Sequence, residues 1–281
     1  MGGFWGKGTK EEEDMKLCYI NITEDKVSGP YLDLLKMTAQ KVLRPDTEMV
    51  IKSVEPGLTR AFDVHPYFIF LNKRSIIERA IEAEKEGFDS VVVGCFADPG
   101  VLEARATVSI PVIGIAEASM LYACLLGRKF AIVTLHEPSF ISAMEDQIIY
   151  YGMLSRAIRN PVRMINTSSY DVFTKGMQDP KLVATDIMER AKECAADGAD
   201  VVIIGCNGLG PLCTLTNMVR IEENDMPILD CISVGIKTAE TIHENSAKLG
   251  IPSVSRTGIN TLPRTKDMKR VRSQFGLKDI D

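Results

Sequence analysis

The stretch FDSVVVGCFADPG, Phe88 to Gly100, has a second copy in ADVVIIGCNGLGP, Ala199 to Pro211. In each, an acidic residue (Asp89, Asp200) precedes a β-branched run that ends in Gly-Cys. A continuous Val/Ile run bounded by turn residues predicts a strand covered on both faces, as in a parallel sheet between helices. Such sheets bind ligands at the carboxyl ends of their strands. Cys95 and Cys206 therefore fall where chemistry is usually done.

Outward from these strands the repetition continues. MKLCYIN, from Met15, is echoed by RKFAIVT, from Arg128; IPVIGI, from Ile110, is echoed by MPILDC, from Met226. The matched segments recur at roughly 110-residue intervals, which reads as an internal duplication of a β/α unit. Strands alternating with helices in both halves predict an α/β fold with two parallel sheets flanked by helices. Between these landmarks, Ser28 before Gly29-Pro30 predicts the cap of a helix running to about Val42, and EMVIKSV predicts a second strand. Residues 55–72 read as a long loop with an aromatic cluster, Tyr67, Phe68 and Phe70, which suits a lid, a pocket wall or a loop pinned by its own aromatics. Arg74 to Glu86 carries the apolar stripe of a helix. Asp98-Pro99 reads as the start of a helix past the first thiol, Glu117 opens another, and Ser233 to Lys248 a third. The polar segment after it either packs back on the first half or trails off.

The 281 residues suffice for two domains. A formal net charge of -5 without Lys/Arg blocks gives no footprint for nucleic acid or an anionic membrane, so a small-molecule partner is expected. No apolar run approaches the roughly 20 residues that cross a bilayer, and Met1 to Asp14, rich in Gly and charge, reads as a flexible extension. Seven cysteines without paired spacing point to reduced thiols in the cytoplasm.

Five of those cysteines, Cys18, Cys124, Cys194, Cys213 and Cys231, sit in strand or helix patterns and read as core filler. Cys95 and Cys206 differ, since a matched pair at matched crevice positions is hard to obtain from packing alone. No short Cys/His spacing exists for zinc, and no metal or cofactor is expected. A thiol hydrolase needs an activating histidine; His136, just past the repeat strand at Thr134, is the one placed near the crevice. Two facing thiols suit proton transfer instead, one removing a proton from a stereocentre and the other returning one to the opposite face. If the carbon acid is roughly ten pK units weaker than the thiol, ionisation alone costs about 14 kcal/mol. The site must therefore stabilise the enolate oxygen, most simply with backbone N–H groups beside the Gly-Cys turns, where Gly94, Gly205 and Gly208 permit close approach.

The segments VVVGCFADPG, IPVIGIAEASM, LLGRKFAIVT and IIGCNGLGPL together resemble the aspartate/glutamate/hydantoin racemase superfamily, most closely its hydantoin and allantoin racemase branch. The resemblance spans about Met15 to Lys248. It implies a cofactor-independent isomerase of two pseudo-symmetric flavodoxin-like domains with the site between them, the first formed by 15–116 plus 231–281 and the second by 117–230. By the same resemblance Cys95 and Cys206 are the acid/base pair, and Asn21, Phe96, Thr134, Asn207 and Gly208 contact substrate. Glu117 either lines the crevice or caps a helix. Where the family usually has Asn-Pro-Asn-Thr after the first strand, this chain has Asn21-Ile22-Thr23-Glu24, and Glu24 would repel an anionic substrate.

The leading expectation is a racemase or epimerase acting next to a carbonyl, on a 5-substituted hydantoin or an amino-acid-like substrate. A maleate-type cis-trans isomerase or a decarboxylase on the same fold is the first alternative, and a non-catalytic small-molecule binding protein the second. Relatives commonly assemble, which makes a homo-oligomer an open expectation.

Overall fold

The computed structural model describes residues 14–60, 63 and 65–279. The expected N-terminal extension lies outside these residues apart from Asp14, as do three positions of the 55–72 segment.

The first sheet contains β1 (Met15–Thr23), β2 (Thr47–Leu58), β3 (Ser90–Gly94) and β4 (Val112–Gly114) in the order β2-β1-β3-β4, all parallel. The second contains β5 (Phe130–Thr134), β6 (Ala157–Met164), β7 (Val201–Ile204), β8 (Arg220–Ile221) and β9 (Met226–Asp230) in the order β6-β5-β7-β9-β8, parallel except for the short β8. The duplication read from sequence is thus a duplication of topology. In both sheets the first and third strands of the unit are neighbours, and the Gly-Cys turn leaves the third.

Among the described residues, ten helices flank them: α1 (Asp25–Val42), α2 (Pro66–Lys85), α3 (Val101–Arg105), α4 (Ile115–Leu126), α5 (Pro138–Tyr150), α6 (Ser169–Asp171), α7 (Lys181–Ala196), α8 (Gly210–Leu215), α9 (Cys231–Leu249) and α10 (Thr265–Gln274). Strand β1 shows how the layers form, since successive side chains point to opposite faces. Met15, Leu17 and Tyr19 join a large core shared with the second sheet, while Cys18, Ile20 and Ile22 pack with Ile76, Ala80 and Val91 in a smaller core on the other face. The helix after the last strand of each unit crosses over. Helix α4 packs on β7, β9 and β5, and α9 packs on β3, β4 and β1. The contact is close: a Cβ on Gly235 of α9 would collide with Ile115 of α4.

Several local expectations are corrected. Helix α1 begins at Asp25, so Ser28 lies inside its first turn, where its hydroxyl donates to Glu24 O at 2.9 Å instead of capping. Strand β2 runs to Leu58 and α2 starts at Pro66, capped by His65. Much of the expected loop is therefore strand and helix, and Tyr67, Phe68 and Phe70 are exposed residues on the first turns of that helix. Proline at the first helical position fits this start. The C-terminal segment packs back on the first half: Arg272 makes a bidentate pair with Glu78 of α2, both bonds 2.7 Å, and Arg256 donates to Arg105 O at 2.9 Å. No described helix is long and apolar enough to cross a membrane.

Candidate active site

A cavity of about 980 Å³ opens between the two sheets, and both Gly-Cys turns reach its wall. The first turn contributes Cys95, Phe96, Ala97 and Asp98; the second contributes Gly205, Cys206 and Asn207. The remaining wall comes from the start of α2 (Pro66, Ile69), from α3, from Glu117 of α4, from Leu135 after β5, and from α5 with the residue after it (Phe140, Met144, Gln147, Tyr151). One thiol thus comes from each half.

Both thiols are nearly closed to solvent, Cys95 at 7% and Cys206 at 5% exposure. Burial pushes Cys95 up to about 12, opposed by the Ala97 N–H and reinforced by Asp98 and Cys206. Burial pushes Cys206 up to about 11, opposed by the N–H groups of Leu209 and Gly208. The Gly208 N–H points at Cys206 Sγ from 3.3 Å. Burial disfavours the thiolate and N–H donors favour it; here burial wins at both sulfurs.

Asp98 was expected to start the helix that follows Cys95. It instead caps α4, the helix after the next strand. Its Oδ1 accepts the Ala116 N–H at 3.1 Å and its Oδ2 accepts the Glu117 N–H at 3.0 Å. A third bond comes from the other half, where the Tyr151 hydroxyl donates to Oδ2 at 2.8 Å. Asp98 takes a positive φ of 45°, a region that Asp tolerates better than most residues. Gly114 faces the carboxylate, and any Cβ there would collide with it. Burial pushes Asp98 up to about 7 against the pull of the two α4 N–H groups and Tyr151.

The second half solves the same problem with the residues exchanged. Asp230, at the end of β9, caps its own helix α9 through the Ile232 N–H at 2.9 Å and receives the Thr214 and Ser233 hydroxyls at 2.8 and 2.6 Å. Here Gly210, in the segment after Cys206, leaves the room that a Cβ would fill.

The other residues expected at the site divide in two. Phe96, Asn207 and Glu117 are on the cavity wall. Glu117 is both near the start of α4 and ion-paired with Arg105 at 2.6 Å. Behind the wall, the Tyr31 hydroxyl bonds the Tyr19 hydroxyl at 2.9 Å. Asn21 and Thr134 sit one step below the cavity. The Asn21 amide donates to Thr23 O, Ser28 Oγ and Ser53 Oγ at 3.0, 3.1 and 2.8 Å, and Thr134 Oγ1 donates to Gly205 O at 3.1 Å. These two side chains fasten the ends of β1 and β5 and are not among the residues that line this cavity. Gly208 also lies off the wall, under the Phe173 ring, and acts through its N–H on Cys206. His136 is spent on Ile165 O at 2.9 Å and is not a wall residue. Among the described residues, no cluster of three His, Cys, Asp or Glu side chains is grouped for a metal.

The residues that sequence reasoning missed are Tyr151 and the α5 wall, whose place depends on how one sheet faces the other. The signal for Asp98 was present, since an Asp-Pro-Gly after Gly-Cys and a glycine ending the next strand form a complementary pair.

Comparison with known proteins gives concordant results. The family model described as Asp/Glu/Hydantoin racemase matches residues 33–239. The chain is 28% identical over 243 residues to a hydantoin racemase of Pseudomonas sp. (strain NS671), covering 86% of this chain and 90% of that protein. It is 32% identical over 162 residues to a hydantoin racemase of Rhizobium meliloti, covering 57% and 63%. Among solved structures, the allantoin racemase from Klebsiella pneumoniae shares the fold with a TM-score of 0.74 at 23% identity, over 89% of this chain and 94% of that one.

Proposed function

Because this chain belongs to the Asp/Glu/hydantoin racemase family, we propose that it is a cofactor-independent racemase whose acid/base pair is Cys95 and Cys206. The observation that carries the reading is the meeting of two thiols, one from each duplicated half, at one cavity. One thiolate removes the proton next to the substrate carbonyl, and the other thiol delivers one to the opposite face. The lobes are taken as 15–116 plus 231–281 and 117–230, in keeping with the exchange of α4 and α9. Seven free cysteines suit a reducing compartment such as the cytoplasm.

High thiol pKa values do not argue against this chemistry. Each unit by which burial raises the thiol narrows the gap to the carbon acid by about 1.4 kcal/mol and depletes the thiolate at neutral pH by the same factor. The two effects offset, so the barrier rests on how well the site holds the enolate oxygen. The Phe96 and Asn207 backbone N–H groups, beside the two thiols, meet no acceptor among the described residues and are assigned that task.

Charge favours a neutral substrate. The wall carries the carboxylates of Asp98, Glu103, Glu117 and Asp146 against two cations, Lys73 and Arg105. Those cations are already paired, Lys73 with Glu103 at 3.6 Å and Arg105 with Glu117. A buried unpaired anion is costly, which favours a neutral 5-substituted hydantoin over aspartate, glutamate or the carboxylates that a maleate-type isomerase or a decarboxylase would take. Polarimetry on single enantiomers of 5-methyl- and 5-benzylhydantoin, allantoin, aspartate and glutamate tests the reading. Loss of rotation with the hydantoins and not with the two amino acids is expected; no racemisation of any compound would contradict it.

A further inference from the structure

The two halves repeat their fold, but the electrostatic surroundings of the two thiols do not repeat. Three residues after Cys95 stands Asp98, whose N–H donates to Cys95 O at 3.0 Å. At the matching place after Cys206 stands Leu209, which offers only a backbone N–H. The Asp98 carboxylate is buried at 7% exposure and accepts three donors, the Ala116 and Glu117 N–H groups and the Tyr151 hydroxyl. These three donors favour its ionised form against the burial that pushes it up to about 7, so the carboxylate carries its charge above neutral pH.

Among the described residues, no cation offsets that charge at Cys95. The groups acting on Cys95 are Asp98 and Cys206, and those acting on Asp98 include Glu117 and Tyr151. Arg105 is engaged by Glu117 at 2.6 Å and by Val112 O at 2.8 Å. Cys206 has two N–H donors and, besides Cys95, the uncharged Tyr31 and Cys231 as titratable neighbours.

We propose that Asp98 is a positioning residue that makes the pair unequal: its carboxylate holds Cys95 as the thiol and leaves Cys206 as the thiolate whenever the site is singly ionised. The inference rests on the two-cysteine reading above. In the resulting step the substrate C–H proton goes to the Cys206 sulfur, and the Cys95 S–H proton goes to the opposite face of the carbon. One negative charge has then moved to Cys95, beside Asp98, and repulsion drives its return by proton exchange with water or by the reverse turnover. Detailed balance makes kcat/KM equal for two enantiomers of equal energy, so the asymmetry is read at the sulfurs.

The experiment is labelling of the full chain with methyl methanethiosulfonate, followed at each cysteine by peptide mass spectrometry. It is run on wild type at pH 9 and pH 6 and on Asp98→Asn. At pH 9, with Asp98 ionised, Cys206 is expected to react about tenfold faster than Cys95, the effect of one pK unit. At pH 6, with Asp98 protonated, and in Asp98→Asn at either pH, the two rates are expected to converge to within about threefold. A ratio in wild type that does not move with pH, a faster Cys95 at pH 9, or a folded Asp98→Asn that keeps the tenfold preference would overturn the proposal. The wild-type pair of pH values decides even if the variant does not fold. Racemisation is not part of the readout, so a preference without racemase activity would fault the proposed function alone.

Discussion

The Tyr151 hydroxyl donates to Asp98 Oδ2 at 2.8 Å, a bond that joins the turn after Cys95 to the end of α5 in the other half, across the cavity wall. Removing it in Tyr151→Phe leaves a buried carboxylate with two of its three donors. A lost hydrogen bond to a buried charge costs about 1.5–3 kcal/mol. Urea denaturation at pH 8 is expected to show that loss, with a smaller one at pH 5, where Asp98 is protonated. Equal loss at both pH values would mean that the ring's packing, not the bond, matters.

Asp98 also sets a pH dependence of stability. Its folded value, about 7, lies above the ordinary carboxylate range, so the unfolded chain releases this proton first as pH rises. The contribution is fully present below about pH 4 and is lost as pH rises through about 7, a change on the order of 4 kcal/mol. Denaturation curves at pH 4.5 and 8 should show wild type losing stability relative to Asp98→Asn. Parallel behaviour of the two proteins would contradict the assignment.

Much of this arrangement is legible in the sequence, and the limit is physical. The β-branched runs ending in Gly-Cys fix the third strand of each unit because their burial pattern is local, and the repeat spacing fixes the pairing of the halves. Asn21 and Thr134 were placed at strand ends correctly, yet which way a strand-end side chain turns depends on Ser28, Ser53 and Gly205. In sequence Asp98 reads as a local cap because its neighbours are Pro99 and Gly100; its partners Ala116 and Tyr151 come from a later helix and from the opposite half. Helix α2 reads shorter in sequence than it is because its first turns carry exposed aromatics, which give no apolar stripe.

The exchanged Asp/Gly pairs make a packing prediction. A methyl at Gly210 would run into the Asp230 carboxylate, which is bonded to α9 and to Thr214 and cannot move without breaking those bonds. Gly210→Ala is expected to cost about 1–3 kcal/mol, as overpacking does. Gly29→Ala is the control, since no atom lies within 4 Å of a Cβ there. Equal stability of the two variants would show that the Asp230 cap is not rigid.

Activity should follow the thiolate. With Cys206 at about 11 and Cys95 at about 12, the singly ionised pair is scarce at neutral pH and grows tenfold per pH unit. For a substrate that does not itself ionise in the range, kcat/KM is expected to rise nearly tenfold per unit from pH 7 to 9. A plateau near pH 7 would show that at least one thiol is far more acidic in the working enzyme.

The most direct measurement is NMR of a single enantiomer of 5-benzylhydantoin in heavy water with wild type, Cys95→Ala and Cys206→Ala. Wild type is expected to place solvent deuterium at the stereocentre of the inverted product. Each variant is expected to lose inversion by at least about a thousandfold, within the range that a positioned acid or base contributes, and at most to exchange one enantiomer with retention. Inversion in either variant within tenfold of wild type would contradict a mechanism in which Cys95 and Cys206 work on opposite faces of one carbon.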